Sequence, residues 1–353
     1  MKTPQLAALA ALLLSGCGKA PGPQTSVPRP SPGPAAVESR GLRILCRPGI
    51  IAQTVIDQFT KETGIAVSVE NCGSKEEMLA KLLYGERYDI IQTGEEAADA
   101  LVRDGLLQPI NHAKIPNLKK ISPKFLNKSF DPGNKFSIPF LASPVGIVVN
   151  TGKIPNAIRG FADVFAEKNN QDIAVLDDAR ELVAWGFFVQ GTPINQVTDE
   201  SLEKVKPLLA RWLRLVKVFG NPASALLNGD AAIGIVGGGE AAVLVASDKK
   251  FQWVIPVEGT HLALESLAIP KSADNVSNAG AFLNFLLRPE ISNQVAGPFL
   301  NPNAAALKLL PPEQRSNPAS FPSDGEVAKM QTFEDAGEQS SKIDGIITTL
   351  KNR

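Results

Sequence analysis

A chain of 353 residues with 36 lysines and arginines against 36 aspartates and glutamates has no formal net charge. No basic stripe gathers along it, which excludes nucleic-acid binding as its main task. Hydrophobic residues make up 44% of the chain, enough for folded cores, yet after Cys17 no apolar run is long enough to span a bilayer. Only His112 and His261 are histidines. Neither belongs to a metal or catalytic-triad spacing, so both read as ordinary surface or packing residues, and no metal, cofactor or enzyme activity is expected.

In chain order, Lys2 precedes the apolar stretch Leu6–Leu14, too short for a membrane span and suited to a secretory h-region. Leu14-Ser15-Gly16-Cys17 then resembles a bacterial lipobox, in which the cysteine receives the lipid. Residues 1–16 are therefore expected to be a lipoprotein signal peptide. Residues 17–40, rich in proline and glycine, form a semi-extended tether behind the lipidation site Cys17. The protein is placed in the periplasm or on the extracytoplasmic face, anchored to the membrane by lipid. Multiple acyl chains would be needed for stable anchoring.

From residue 42, strand and helix alternate. GLRIL is a strand. The next segment is a helix with Ile51, Val55, Ile56 and Phe59 on one side and Gly64 as its stop. IAVSVEN is the second strand, and Ser74-x-x-Glu77 is a capping box for the helix that follows. YDIIQT is the third strand and EEAADALVRDG the third helix. Such alternation makes a parallel sheet with helices on both faces, whose ligands bind beyond the carboxyl ends of the strands. Cys46 and Cys72 end two neighbouring strands, where a disulfide and two free buried thiols both fit.

A second alternating region follows. FSIPFLASPVGIVVN, residues 136–150, is an extended crossing. DIAVL is a strand; the helix after it opens at Asp178, with Glu181 three residues on as the partner in a D-x-x-E capping box. An amphipathic helix covers residues 200–217, AAIGIV is a strand, and Gly237-Gly238-Gly239 turns into another helix. FQWVIP is a strand, ESLAIP (265–270) returns the chain to the first lobe, and the last fifty residues read as helices joined by turns. The expected division is lobe 1 at 41–139 and 263–299, and lobe 2 at 140–262 and 300–353. Hinges fall near Pro139–Ser143 and Val257–Leu262, and the cleft between the lobes is the binding site.

FTKETGI (59–65), FDPGNKFSIPF (130–140), LDDARE (176–181), ESLAIP and FLNFLLRPE (282–290) are similar to segments of the spermidine/putrescine-binding proteins of bacterial ABC importers, in the same order. The resemblance implies an α/β, two-lobe periplasmic-binding-protein fold of type II. Each lobe would be a mostly parallel sheet flanked by helices, hinged by crossing strands. It also implies a monomer that captures a polyamine and delivers it to a permease and ATPase complex.

By that resemblance Asp178 and Glu181 meet the ligand's ammonium groups, and Glu265 replaces a family aspartate. The family's aromatic box is largely lost. Arg47 stands for a tryptophan, Ile50 for a tyrosine, Glu96 at or beside a tyrosine, Gly237 and Ala263 for tryptophans, and Phe333 for a glutamine. Arg47 would repel a polycation unless Glu96 or one of the acidic anchors neutralises it in an ion pair at the mouth; together with the Gly237–Gly239 turn it opens an alternative, a zwitterionic or anionic ligand held partly by backbone N–H groups. Gly237-x-Gly239-x-x-Ala242 also fits a dinucleotide fingerprint, the basis of a remote alternative, a nucleotide-binding enzyme. A sensing role on the same fold is a further class.

Overall fold

A computed structural model describes residues 41–170 and 172–352. The expected signal peptide, Cys17 and the tether lie outside the described residues.

Gly41–Cys46 (β1), Gln53–Thr63 (α1), Ala66–Asn71 (β2), Lys75–Leu83 (α2), Ile90–Gly94 (β3) and Glu95–Arg103 (α3) alternate as the sequence predicts. Helix α1 buries Val55, Ile56 and Phe59 and ends at Gly64, whose φ of 74° and N–H bond to the Thr60 carbonyl make a left-handed cap. Helix α2 opens on Ser74, whose hydroxyl accepts from the Glu77 N–H. The Glu77 carboxylate reaches back to the Gly73 N–H, one residue beyond the usual capping-box donor.

The chain continues through Ser137–Asn150 (β4), Phe161–Val164 (α4), Ile173–Leu176 (β5), Ala179–Gln190 (α5), Asp199–Leu213 (α6), Val216–Gly220 (β6), Pro222–Asn228 (α7) and Ile233–Gly237 (β7). Gly238–Ser247 (α8), Phe251–Val254 (β8), Thr260–Ala268 (β9), Val276–Leu286 (α9), Pro289–Ala296 (α10), Ala304–Leu307 (α11), Asp324–Val327 (α12), Met330–Gln331 (β10) and Gln339–Lys351 (α13) complete it.

The strand order is β2-β1-β3-β9-β4-β7-β5-β6, with β10 on β9 and β8 on β4. Strands β1, β2 and β3 are parallel, as are β5, β6 and β7. Between these groups run the crossings. Strand β4 pairs antiparallel with β9 as far as Pro144, then with β7 from Val145. One strand thus belongs to both sheets. Two main cores sit either side of this change of partner. Ile44, Phe59, Leu141, Leu262, Phe282 and Phe285 belong to the first, where Phe59 meets Phe282 edge-on at 4.9 Å. Phe161, Trp185, Phe187 and Trp212 belong to the second, where Phe165 stacks on Trp212 at 4.3 Å. Aromatic pairs of this kind add roughly 0.5–1.5 kcal/mol each beyond the area they bury.

Two local expectations change, and one open pair of alternatives is decided. The helix expected over 200–217 ends at Leu213. Residues from Val216 form a strand beside β5 instead, because Leu215 and Val216 are buried at the sheet edge rather than on the helix stripe. The stretch after residue 300, placed with the second lobe by the sequence, begins against the first: Ile121 bridges to Asn303, and the Asn303 amide donates to the Leu287 carbonyl at 2.9 Å. Helix α13 then packs Ile343, Ile347 and Leu350 into the second core. Last, Cys46 and Cys72 are free, buried thiols. Their connection is through the backbone, Cys72 N–H to Cys46 C=O at 3.0 Å, and burial pushes the Cys46 thiol up to about 11.

Candidate functional site

Between the two cores a cavity of about 680 Å³ opens where strand ends of both lobes meet. The first lobe supplies Arg47 after β1 and residues 92–97, where β3 runs into α3. The second supplies residues 176–178 and Glu181 from the β5–α5 turn, and Gly237, Gly239 and Glu240 from the β7–α8 turn. The crossings add residues 141–143 and Val145 from β4, and His261, Ala263 and Glu265 from β9. Parallel strands present helix N-termini and turn residues at their carboxyl ends, which is why the charged groups gather there.

Of the residues matched to family ligand contacts, Arg47, Glu96, Asp178, Glu181, Gly237, Ala263, Glu265 and Phe333 border this one cavity, and Ile50 does not. Their partners bear on the expectations in four respects. Asp178 does cap α5: its Oδ1 accepts from the N–H groups of Arg180 and Glu181 at 2.9 and 3.0 Å. Glu181 does not complete the capping box. Its carboxylate turns away from the helix start, with Oε2 accepting from the Trp185 indole N–H at 3.1 Å and Oε1 2.6 Å from His261 Nδ1.

The second difference is His261 itself, read from sequence as an ordinary packing residue. It lies at the centre of the site, buried, with Nε2 2.5 Å from Glu95 Oε1. Glu95 in turn accepts the Leu264 N–H at 3.0 Å. Burial disfavours the imidazolium, but Glu181 and Glu95 more than offset it and raise the ring to about 10. Third, of the two readings open for Arg47, the structure holds the ion pair with an acidic anchor and not the glycine turn. The Arg47 guanidinium contacts Glu265 at 2.5 Å, and Gln92 binds both, accepting from the Arg47 N–H at 3.0 Å and donating to Glu265 Oε2 at 2.9 Å. Burial raises Glu265 and Arg47 pulls it back. Fourth, Phe333 stacks on the His261 ring at 3.8 Å, with the Arg180 guanidinium 4.6 Å from its centroid.

The glycines of the β7–α8 turn have their own explanation. A Cβ on Gly238 would stand 2.8 Å from Pro144, and one on Gly239 would stand 2.5 Å from the Phe299 ring. Both glycines serve close packing against protein atoms, without invoking a pyrophosphate. His112 matches its expectation: its Nε2 bonds the Asn134 carbonyl at 2.7 Å, outside the cavity.

The cavity's charge follows from its walls. Seven carboxylates face it: Glu95, Glu96, Asp177, Asp178, Glu181, Glu240 and Glu265. Four cationic groups meet them: Arg47 on Glu265, Arg180 3.6 Å from Glu96, Lys351 on Asp177, and His261 between Glu95 and Glu181. Lys128 adds a further positive charge within electrostatic reach of Glu95, and the carboxylates still outnumber the cationic groups. Burial raises Glu240 and disfavours its charge, which leaves the outer oxygen of Asp178 as the place where that surplus faces the cavity.

Two α/β lobes hinged on shared strands around a charged inter-lobe cavity define a two-lobe solute-binding protein of the type II periplasmic fold. Comparison with known proteins agrees. The model of the bacterial extracellular solute-binding protein family matches residues 54–322. The spermidine/putrescine-binding periplasmic protein of Salmonella typhimurium is 32% identical over 304 residues, 84% of this chain and 87% of that one. The putrescine-binding periplasmic protein of Escherichia coli is 28% identical over 90% of this chain and 92% of its own. Among solved structures, the spermidine/putrescine ABC transporter substrate-binding protein of Streptococcus pneumoniae superimposes with a TM-score of 0.82 at 30% identity, covering 89% of this chain and 99% of that one. The chain belongs to the bacterial extracellular solute-binding protein family.

Proposed function

We propose that this protein captures a small organic amine, a polyamine or a related compound, in the inter-lobe cavity. It then presents the amine to the permease and ATPase of an ABC importer. In this reading it works as a monomer on the extracytoplasmic face, tethered by lipid on Cys17. The observation that carries the proposal is the surplus of carboxylate in the cavity walls, which favours a cation in a space partly closed to water. The relatives named for spermidine and putrescine binding support the same class. Asp178 is the leading anchor, since only Oδ1 is spent on the helix cap. The zwitterion reading lacks its cation, because Arg47 is already matched by Glu265.

Few rings remain to grip a methylene chain. Phe299 and Phe333 border the cavity, and each absent cation–π contact removes about 0.5–2 kcal/mol. Binding of simple polyamines should therefore be weaker than a full aromatic box gives. Titration calorimetry with putrescine, spermidine, butylamine and succinate tests the proposal. Amine binding accompanied by compaction in small-angle scattering is expected; binding of succinate with no response to any amine would overturn it.

A further inference from the structure

His261 is buried between two carboxylates that come from different lobes, Glu95 at the start of α3 and Glu181 in the first turn of α5. A carboxylate can only accept, and a neutral imidazole carries one N–H and one lone pair. With oxygens 2.6 Å from Nδ1 and 2.5 Å from Nε2, a neutral ring would point its lone pair at an acceptor. A doubly protonated ring satisfies both contacts. The other carboxylate oxygens also act as acceptors, Glu95 Oε2 from the Leu264 N–H and Glu181 Oε2 from the Trp185 indole, which leaves one oxygen of each acid to face the ring. The ring face rests on Phe333, and β10 pairs Gln331 with His261, which fixes the imidazole between the lobes.

Two carboxylates converging from opposite walls of a cleft make a seat for a cation. Here the protein fills that seat itself. We propose that His261 is a specificity-determining residue. It acts as a cation built into the wall between Glu95 and Glu181, so that the cavity accepts a ligand with one ammonium group fewer than it would with a neutral side chain there. The proposal rests on the amine reading above and sharpens it from a chemical class to a charge count. A longer polycation would have to place an extra ammonium against the imidazolium, whose two flanking carboxylates are already engaged.

The test is calorimetric titration of the wild-type protein and His261→Gln with butylamine and putrescine at pH 7.5. Glutamine keeps polar atoms near both carboxylates and removes the charge. The ratio of the butylamine Kd to the putrescine Kd should rise at least tenfold in the variant, and a smaller change overturns the proposal. Nitrogen-15 NMR of the wild-type imidazole supplies a measurement independent of the variant's folding. Both ring nitrogens should carry protons at pH 7.5, whereas a neutral tautomer overturns the built-in cation. If neither amine binds either protein, the amine reading fails and the charge count falls with it. A doubly protonated ring would then still mark His261 as a buried cation, so the two failures are distinguishable.

Discussion

Melting the wild-type protein and His261→Gln side by side between pH 6 and 9.5 isolates the contribution of one buried ring to stability. Burial opposes the imidazolium, but Glu181 and Glu95 prevail and push the ring up from its ordinary 6.5 to about 10. Between those values the folded chain keeps a proton that the unfolded chain has released. The stabilisation is thus complete below 6.5, declines as pH rises, and is gone once pH passes 10. At about 1.36 kcal/mol per pH unit, the decline to pH 9.5 is on the order of 4 kcal/mol. Unfolding about 310 residues releases roughly 0.65 kcal/mol per kelvin of entropy, so the wild-type Tm should fall by about 6 °C from this ring alone. Other groups titrate in the same range, so the quantity to read is the gap between the two proteins' Tm–pH curves. The wild-type curve should be the steeper, and the curves should converge towards alkaline pH. Parallel curves would refute a charged histidine held by two ionised glutamates.

Asp178 separates capping from charge: Asp178→Asn keeps the acceptor for the two N–H groups and should melt near wild type, while Asp178→Ala should lose about 1 kcal/mol. Both should weaken amine binding at least tenfold by calorimetry. Gly239→Ala forces a methyl against the Phe299 ring and should cost roughly 1–3 kcal/mol of unfolding free energy in urea. Combined with Phe299→Ala, the loss should be less than the sum of the two single changes. In a Cys17→Ser protein, Cys46 and Cys72 should react slowly with iodoacetamide at pH 8 when folded and rapidly in urea. A protein with no reactive thiol even in urea would contradict the free cysteines described above.

The first lobe was legible because its signals are local. The apolar spacing of Val55, Ile56 and Phe59, the stop at Gly64 and the cap at Ser74 lie within a turn or two of the elements they define. Asp178 was legible for the same reason. What the sequence concealed depends on distant partners. His261 sits in an alternating strand with nothing beside it to mark a site, and its carboxylates come from 80 and 166 residues away. Arg47 and Glu265 are 218 residues apart, so the sequence left an ion pair with an acidic anchor open without choosing it over the glycine turn. Strand β6 was hidden differently: the apolar residues at 213, 215 and 216 prolong the stripe of α6 by eye, and only the neighbouring β5 decides that they extend.

The change of partner along β4 bears on how the molecule comes apart. A chain with two separate cores would ordinarily let one melt while the other survives. Here the strand that closes the first sheet at Pro144 opens the second at Val145, so fraying one sheet strips hydrogen bonds from the edge of its neighbour. Strand β9 doubles the coupling, being bonded to β3, β4 and β10 at once. Bending between the halves stays cheap, because it rotates a backbone whose ladders remain intact, whereas independent collapse of either half does not. The same stitching that allows a clamp to move thus makes it denature as a unit.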